Sequence, residues 1–330
     1  MKKIGQPAFR AKQIYEWLHV KLVGSYDEMT NLSKELRNTL KEHYPLTVLE
    51  AVDSLVSEKD GTIKYLFRLK DDRVIESVLM KYHHGNSVCI SSQVGCRMGC
   101  TFCASTIGGR ERDLTASEML DQIYRIQMIS GERVSNVVVM GTGEPLDNYD
   151  NLVRFIRILS DSAGINISAR NITVSTCGIP DKIRQLADEE IPVTLALSLH
   201  APNNEIRKKL MPIARQYELS DVMEAFRYYY ERTGRRLTFE YCLTEGINDE
   251  EEHARELSRL LRGYNCHVNL IPINPIKERS FLKSDSNKIQ KFKNILEKYR
   301  INVTIRREMG SDINAACGQL RKSYMDHSSK

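Results

Sequence analysis

Three cysteines in one short stretch are the residues whose type and spacing point most directly to chemistry. They form the pattern Cys96-x-x-x-Cys100-x-x-Cys103. Thiolates are soft ligands that suit iron–sulfur clusters or zinc. A structural zinc site needs four closed ligands, and no fourth Cys or His lies close downstream. A four-iron cluster held by three cysteines leaves one iron open, so the triad predicts a cluster that takes part in a reaction.

An open iron of this kind can chelate the amino and carboxylate groups of S-adenosylmethionine. One electron from the cluster can then cleave the sulfonium bond and give a 5′-deoxyadenosyl radical, while the protein positions the cofactors. Phe102 would shield such a cluster from solvent. The alternatives are a loop with coincidental cysteines or a thioredoxin-like Cys100-x-x-Cys103 pair. Three cysteines at a strand end are much rarer than a lone pair, which favours the cluster.

Residues 87–320 alternate short apolar strands with amphipathic helices, a pattern typical of a parallel sheet buried on both faces. About six such units predict the α/β class and a partial (β/α)6 barrel, which places its chemistry at the C-terminal ends of the strands. The informative polar residues follow predicted strands, as this architecture requires. The strands are predicted over residues 87–92, 136–140, 172–175, 193–199, 237–243, 268–273 and 302–305.

Two smaller regions precede the barrel, and a short one follows it. Residues 1–45 are predicted as a helical accessory domain, with helices from residue 9 and over 33–43. Residues 46–86 are predicted as a β-strand extension, with strands over 47–52, 63–69 and 74–80. Residues 321–330 are predicted as a C-terminal tail.

The overall composition sets limits on the class of protein. The chain has 330 residues, a net charge of +5 and eight cysteines. No apolar run has the length of a signal-peptide core or a membrane span, so we expect a cytoplasmic protein that does not bind membranes. In that compartment the cysteines indicate metal or redox chemistry rather than a disulfide framework. The mild positive charge permits a polyanionic partner without requiring one.

Several longer motifs carry a resemblance to one family. They are Phe9-Arg10-Ala11-Lys12-Gln13, Cys89-Ile90-Ser91-Ser92-Gln93, Gly143-Glu144-Pro145, Ser198-Leu199-His200-Ala201, Leu210-Met211-Pro212 and Asp312-Ile313-Asn314-Ala315-Ala316-Cys317-Gly318. In these motifs and in its triad the chain resembles the dual-specificity ribosomal and transfer RNA adenine-C2 methyltransferases of the radical S-adenosylmethionine (radical SAM) superfamily. The similarity runs from about residue 8 to residue 321.

The resemblance implies a [4Fe–4S] cluster on the triad and a set of catalytic residues. One S-adenosylmethionine would methylate Cys317, and a radical from a second would abstract hydrogen from that methyl group. The carbon radical would add to adenine C2, and Glu76 would remove the C2 proton. Cys89 would then attack the Cys317 sulfur and release the product, leaving a transient disulfide. The implied S-adenosylmethionine contacts are Gly143, Glu144, Ser175, Ser198, His200 and Asn274.

Without the resemblance, these residues would have ordinary interpretations. Cys317 and Cys89 would be small buried fillers, and Glu76 would be an exposed strand carboxylate. His200 would be a packed strand-end histidine. The remaining cysteines are interpreted as core or loop residues: Cys177, Cys242 and Cys266.

The implied substrates are an adenosine of the peptidyl transferase centre in 23S rRNA and the adenosine next to the anticodon in certain tRNAs. The target base must leave its stack to react, and phosphate contacts should make binding salt-dependent. We expect an electron donor such as flavodoxin or ferredoxin, and a monomer. The candidate RNA contacts are Arg10, Lys12, Lys21, Arg110, Arg112, Arg306 and Arg307.

Three other functions remain open from the sequence. The nearest is the related adenine-C8 methyltransferase of 23S rRNA, although Gly143-Glu144-Pro145 and residues 270–275 look more like the C2 family. The second is a non-enzymatic RNA-binding protein with a structural cluster, which would leave S-adenosylmethionine intact. The third is a ferredoxin-like carrier, a class that normally has four cysteines per cluster.

Overall fold

The computed structural model describes residues 1–320, so the tail predicted over 321–330 lies outside the described residues. The strands are β1 (Glu50–Val56), β2 (Ile63–Arg68), β3 (Val74–Met80), β4 (Asn86–Cys89), β5 (Gln93–Gly95), β6 (Arg110–Asp113), β7 (Val134–Val139), β8 (Ile172–Thr176), β9 (Thr194–Ser198), β10 (Leu237–Leu243), β11 (Cys266–Pro272) and β12 (Asn302–Ile305). The helices are α1 (Phe9–His19), α2 (Lys34–His43), α3 (Ala116–Ser130), α4 (Tyr149–Leu159), α5 (Pro180–Asp188), α6 (Asn204–Leu210), α7 (Leu219–Thr233), α8 (Glu251–Leu260) and α9 (Ser286–Lys298).

One ten-stranded sheet dominates the molecule, in the order β1-β2-β3-β4-β7-β8-β9-β10-β11-β12. From β4 onward every neighbouring pair is parallel. Parallel neighbours need crossover connections, and helices α3 to α9 supply them. Because β1 and β12 are the two edges of the sheet in the described part of the chain, the barrel stays open. The predicted partial α/β barrel is therefore confirmed.

The barrel strands are apolar because one face of the sheet packs against helices and the other faces the interior of the barrel. In β10 every residue is buried. The rings of Phe226 on α7 and Phe239 on β10 pack with centroids 5.9 Å apart. Fully burying one such side chain stabilises the folded protein by roughly 1.5–3 kcal/mol. Strands β7, β8 and β11 combine buried with half-buried positions, and the edge strand β12 is mostly exposed. The apolar residues at the buried positions are what locate these strands in the sequence.

The β-extension is a continuation of the barrel sheet. Strands β1, β2 and β3 form an antiparallel meander, and β3 pairs antiparallel with β4, with Val78 opposite Cys89. The first strand begins at Glu50 rather than at the predicted residue 47. It is an exposed edge strand, so its residues lack the apolar alternation that would mark its position. The shared sheet places β3, which carries Glu76, directly beside β4, which carries Cys89.

Helix α3 shows how local sequence fixes an element boundary. The Thr115 hydroxyl accepts a hydrogen bond from the Glu118 N–H, and the Glu118 carboxylate accepts one from the Thr115 N–H at 2.8 Å. This reciprocal capping box, predicted from the sequence, satisfies two N–H groups that the first turn leaves without partners. The helix ends at Gly131, whose φ of 67° is the left-handed conformation that glycine adopts without strain.

Strands β5 and β6 and helix α6 are not predicted by the hydrophobic pattern. Strands β5 and β6 form a separate two-stranded sheet on either side of the cysteine loop. Helix α6 is short and has the charged sequence Asn-Glu-Ile-Arg-Lys-Lys-Leu. It begins at Asn203, whose side chain accepts a hydrogen bond from the Ile206 N–H at 2.9 Å. A seven-residue helix with so few apolar positions has no detectable period.

The two N-terminal helices form a small core of their own and contact the barrel. Helix α2 buries Leu36 and Leu40 in a cluster that includes Met29. From helix α1, Tyr15 donates a hydrogen bond to Asp161 at 2.8 Å, and His19 Nδ1 lies 2.9 Å from the Tyr124 hydroxyl on α3. None of the helices in residues 1–320 has the length and apolar character needed to cross a bilayer.

We expect His19 to make the stability of the protein fall as the pH drops below about 6.5. Burial lowers the pKa of His19 in the folded protein, and Asp161 only partly opposes the effect. The unfolded chain, with a histidine pKa of about 6.5, therefore takes up the proton first. The stabilising contribution is complete above that pH and is lost as the pH falls. Thermal melts at pH 7.5 and 5.5 should show a smaller drop in melting temperature for His19→Gln than for the wild type.

His43 provides the matched control for this measurement, since its side chain is exposed. The variant His43→Gln should keep the wild-type drop between the two pH values. Equal drops in the wild type and His19→Gln would show that the burial of His19 does not resist its protonation.

Candidate active site

The parallel strands end at a cavity that opens to the surface. Its walls come from the loops after the barrel strands and from the segment around Cys317. Every predicted site residue except Cys89 and Glu76 lines this cavity. These residues are Cys96, Cys100, Cys103, Gly143, Glu144, Ser175, Ser198, His200, Asn274 and Cys317. The site therefore lies at the C-terminal ends of the strands, where α/β barrels place their chemistry.

The loop with the three cysteines is fixed by its backbone. The Thr101 N–H donates to the carbonyl of Leu210 at 2.9 Å, and the Cys103 N–H donates to the carbonyl of Cys100 at 3.2 Å. Burial raises the pKa of Cys96 to about 12 and the pKa of Cys100 well above its usual value. Burial disfavours the thiolate, whereas metal ligation requires it. A positively charged inorganic group is therefore what would convert these thiols to thiolates.

Three thiols line the cavity, those of Cys96, Cys100 and Cys103. Thiolates are the usual ligands of iron–sulfur clusters, and a four-iron cluster held by three of them keeps one iron open. The number and type of these side chains therefore fit such a cluster. Across residues 1–320, no group of three His, Cys, Asp or Glu side chains is arranged to hold a single metal ion.

Gly143 and Glu144 form a turn that sends a carboxylate into the cavity. Gly143 has a φ of 113°, and a Cβ there would lie 2.7 Å from the Ser92 hydroxyl oxygen, so only glycine fits. The Glu144 carboxylate accepts hydrogen bonds from the N–H groups of Leu146 at 3.1 Å and Cys177 at 2.8 Å. Burial raises the pKa of Glu144, and these N–H donors oppose the rise. A buried carboxylate of this kind is suited to bind an ammonium group.

Hydroxyl and imidazole groups continue the cavity wall. The Ser175 and Ser198 hydroxyl oxygens, on neighbouring strands β8 and β9, are 3.3 Å apart. His200 Nδ1 accepts a hydrogen bond from the Cys242 N–H at 2.9 Å, which leaves the proton of the neutral ring on Nε2. Burial lowers the pKa of His200 to about 3. The ring is therefore a neutral hydrogen-bond donor near pH 7, packed edge-on to Phe102.

The segment that carries Cys317 is attached to the cysteine loop and to the loop after β11. Three of its hydrogen bonds are accepted by the backbone carbonyls of Cys317 and of the residues that follow it. They are Asn274 Nδ2 to Cys317 O at 3.0 Å, Ala104 N to Gly318 O at 2.8 Å, and Ser105 Oγ to Leu320 O at 2.8 Å. Cys317 consequently lines the same cavity as the cluster cysteines, although more than two hundred residues separate them in the sequence.

Cys89 lies just outside the cavity wall, on β4. It is buried in an apolar cluster that includes Ala315 from the Cys317 segment. Burial raises the pKa of Cys89 to about 12, the neighbouring Cys317 adds to the rise and Arg306 opposes it. All eight cysteines are free thiols in the structure. The disulfide that the resemblance implied is therefore absent here, and the structure gives no support for it as a resident bond.

Glu76 is buried rather than exposed, contrary to the default for a carboxylate on a strand. It forms an ion pair with Lys64 at 3.2 Å, and Lys64 also donates to the carbonyl of Asn314 at 3.3 Å. Glu76 lines a second cavity, and Ser105 lines both cavities. The carboxylate is thus connected through Lys64 to the segment that carries Cys317.

We expect Lys64→Met to lower the free energy of unfolding by about 3–5 kcal/mol, the range for removing one partner of a buried ion pair. The side chains of Lys64 and Glu76 are 6% and 1% exposed, so water cannot replace the ammonium group. Urea denaturation measures the change. Lys208→Met breaks an exposed ion pair with Glu218 and should have a far smaller effect. Equal losses in the two variants would contradict the importance of burial.

Other residues of the cavity were assigned differently from the sequence. Arg306, grouped there with the RNA contacts, lines the cavity and lies 3.6 Å from Glu240. Cys317 raises the pKa of Arg306. The guanidinium therefore lies close to the Cys317 thiol, inside the cavity. The sequence offers one indication of a role for Glu240, because it is the one acidic residue within the otherwise apolar strand β10. Cys177 and Cys242, interpreted as core or loop residues, also line the cavity.

Several of the candidate RNA contacts already have intramolecular partners, among them Arg306 with Glu240 and Lys21 with Glu16. Arg112 pairs with Glu118 at 2.8 Å and with Asp71 at 2.6 Å. Arg110 pairs with Asp113 at 3.1 Å. These ion pairs reduce the positive charge that either arginine can offer to a phosphate. Their role in RNA binding stays a prediction.

Comparisons with known families and proteins agree on one group. The profile described as Radical SAM superfamily matches residues 90–257, and the profile described as Ribosomal RNA large subunit methyltransferase N-terminal domain matches residues 1–46. The chain is 68% identical over 326 residues to the probable dual-specificity RNA methyltransferase RlmN of Lachnoclostridium phytofermentans, covering 99% of this chain and 92% of that protein. It is 53% identical over 325 residues to the protein of the same name from Clostridium novyi, covering 98% and 95%.

Solved structures give the same result. A radical SAM methyltransferase from Sphaerobacter thermophilus superposes with a TM-score of 0.93 at 46% identity, covering 97% of this chain and 95% of that one. Streptococcus suis SuiB bound to S-adenosylmethionine superposes with a TM-score of 0.50 at 15% identity, covering 72% and 57%. The second similarity concerns the fold alone.

Proposed function

Because this chain belongs to the RlmN family of dual-specificity RNA methyltransferases, within the radical SAM superfamily, we propose that it methylates C2 of adenosine in 23S rRNA and in tRNA. The proposed sites are the peptidyl transferase centre of the rRNA and the adenosine next to the anticodon of certain tRNAs. One observation carries the proposal. Cys317, the proposed methyl acceptor, lines the same cavity as the three cysteines proposed to hold the cluster.

The chemistry of the target atom explains why the methyl acceptor and the cluster must lie in the same cavity. Adenine C2 is electron-poor and has no nucleophilic lone pair, so it cannot attack the methyl group of S-adenosylmethionine directly. A carbon radical made from a methyl group can add to C2 instead. The enzyme therefore needs a radical source and a thiol that presents the methyl group within one water-excluding cavity, and this cavity has both sets of residues.

Bound in this cavity, a [4Fe–4S] cluster and S-adenosylmethionine would supply a 5′-deoxyadenosyl radical. Cys96, Cys100 and Cys103 would hold the cluster, and the Glu144 carboxylate would accept hydrogen bonds from the ammonium group of the cofactor. Neutral His200 would donate from Nε2. The remaining proposed contacts to the ribose and methionyl parts come from Gly143, Ser175, Ser198 and Asn274.

The residues of the chain would then act in turn on the substrate. The Cys317 sulfur carries a methyl group, which loses a hydrogen atom and bonds through its carbon to C2. The resulting adduct is a radical. It gives up one electron, for which the oxidised cluster would be the acceptor, and Glu76 takes the C2 proton. The link of Glu76 through Lys64 to the Cys317 segment supports this role. The Cys89 sulfur attacks the Cys317 sulfur, the sulfur–carbon bond breaks, and the product carbon keeps the electron pair and takes a proton. The disulfide formed in this step must be reduced before the next turnover.

The partners follow from the same proposal. A protein reductant such as flavodoxin or ferredoxin would supply electrons, and the enzyme would act as a monomer in the cytoplasm, where these RNAs are modified. The N-terminal helices would contact the RNA backbone, so binding should weaken as the salt concentration rises.

The test is methylation by the reconstituted enzyme under reducing conditions, with a 23S rRNA fragment and a tRNA as substrates. Mass spectrometry of the digested RNA should find 2-methyladenosine in both, and peptide analysis should find a methyl group on Cys317. The appearance of 8-methyladenosine would replace the proposal by the C8 reaction. A protein that binds both RNAs and leaves S-adenosylmethionine intact would instead be an RNA-binding protein with a structural cluster.

A further inference from the structure

Arg207 on helix α6 is buried completely, yet most of its charged head has no partner. It is 0% exposed. Its Nη2 donates to the backbone carbonyl of Cys177, whereas Nε and Nη1 are buried without a hydrogen-bond partner. Among the residues that the structure describes, no carboxylate forms an ion pair with it. A buried guanidinium without a negative partner is unfavourable, because the low dielectric does not replace its hydration.

The groups around Arg207 show which charge is missing. Helix α6, which carries Arg207, is attached to the cysteine loop beside Cys100, because the Thr101 N–H donates to the carbonyl of Leu210 at 2.9 Å. Burial raises the pKa of Cys100 and of Cys177, and the charge of Arg207 opposes that rise. Its positive charge also lowers the pKa of His200. Among the groups nearest to this guanidinium is therefore a cysteine of the triad. The nearby Glu144 carboxylate is directed elsewhere, since it binds the N–H groups of Cys177 and Leu146.

The position of Arg207 separates it from residues that would touch a substrate. Cys100 and Cys177 line the cavity, whereas Arg207 lies behind them and does not line it. It therefore has no surface to offer to S-adenosylmethionine or to an RNA base. Its charge can still act through the wall on whatever the cysteines hold, because a buried charge is screened much less than an exposed one.

We propose that Arg207 is the fixed counter-charge of the iron–sulfur cluster and raises the reduction potential of that cluster. This inference rests on the proposed function. A four-iron cluster with three thiolates carries net negative charge, and reduction adds one electron to it. A cation behind Cys100 stabilises the reduced form more than the oxidised form, and net charge near a cluster is one of the terms that set its potential. Arg207 is thus a positioning residue that acts through the electrostatic field.

The test compares reconstituted wild type with two variants of Arg207. Arg207→Met removes the charge and keeps much of the volume, and Arg207→Lys keeps the charge. In a potentiometric titration followed by electron paramagnetic resonance, we expect Arg207→Met to lower the ratio of reduced to oxidised cluster about tenfold at a fixed potential. For one electron this is a shift of about 59 mV to lower potential. Arg207→Lys should stay much closer to the wild type.

Arg97 provides the matched control. It is next to Cys96 in the sequence, but its side chain is 62% exposed and paired with Asp147. Water and that carboxylate screen its charge, so Arg97→Met should leave the potential nearly unchanged. Equal potentials for the wild type and Arg207→Met would overturn the inference.

A second measurement covers the case in which Arg207→Met takes up no cluster. In protein stripped of iron, Arg207 is an unpaired buried charge, so Arg207→Met should melt at the same or a higher temperature. A folded Arg207→Met that cannot load the cluster, beside an Arg207→Lys that can, supports the counter-charge. A lower melting temperature for stripped Arg207→Met, or failure of both variants to load, would show a structural role and overturn it. The potential is measured without RNA, so failure of methylation alone contradicts only the proposed function.

Discussion

Replacing Cys317 by alanine is expected to abolish methyl transfer to RNA, with a loss of at least about a thousandfold, as for other covalent catalytic groups. The variant has no sulfur to carry the methyl group, and adenine C2 cannot take one from S-adenosylmethionine directly. The segment itself should stay in place, because its hydrogen bonds use the carbonyls of Cys317, Gly318 and Leu320 rather than the thiol. Methyladenosine released per enzyme, measured by mass spectrometry, gives the loss.

Cys242 is the matched control for this experiment, since it lines the same cavity and has no proposed role. Cys242→Ala should keep activity within a few-fold of the wild type. Cys317→Ala should also retain iron, sulfide and S-adenosylmethionine binding, which separates loss of the acceptor from loss of the site. Substantial methylation by Cys317→Ala would contradict its assignment as methyl acceptor.

Replacing Cys89 by alanine is expected to trap the enzyme on its RNA. The bond between the Cys317 methylene and adenine C2 can still form, because Cys89 acts only afterwards. Without the second thiol, nothing attacks the Cys317 sulfur to break its bond to carbon. We expect most active molecules to carry one covalently bound RNA after one turnover, with release of methyladenosine reduced at least about a hundredfold. Denaturing electrophoresis and peptide mass analysis would detect the adduct on Cys317.

Two further variants make this result specific. Cys266→Ala removes another buried strand cysteine, whose pKa burial raises to about 11, at a position in the main core. It should release product normally. The double variant Cys89→Ala/Cys317→Ala should form no adduct, since the sulfur that holds the RNA is missing. Normal turnover by Cys89→Ala would exclude its role in product release.

Local chemistry and hydrophobic pattern were enough to predict much of this molecule. The type and spacing of the three cysteines indicate the kind of metal centre that they would hold. Thr115 and Glu118 fix the start of α3 because a capping box depends only on neighbouring residues. Strand β10 is buried along its whole length because both of its faces are covered. The polar residues that follow the barrel strands then meet in one cavity because parallel strands end on the same side of a sheet.

Features that depend on distant pairings had no local signal. Glu76 lies beside the β4 strand of Cys89 only because β3 pairs antiparallel with β4, a register that single-strand patterns do not contain. The burial of Glu76 depends on Lys64, an apparently ordinary charged strand residue. Arg207 belongs to a helix whose composition is that of a solvated surface, yet it is completely buried and donates to the carbonyl of Cys177, thirty residues earlier in the chain.

The hydrogen bonds to the carbonyls of the Cys317 segment matter for repeated catalytic cycles. In the proposed cycle this sulfur is in turn a thiol, a thioether, part of an RNA adduct and part of a disulfide. A loop held by its side chain would lose its anchor at several of these stages. The three main-chain oxygens are chemically inert throughout. The Cys317 sulfur can therefore change its bonding in every catalytic cycle while the backbone around it keeps the same hydrogen bonds.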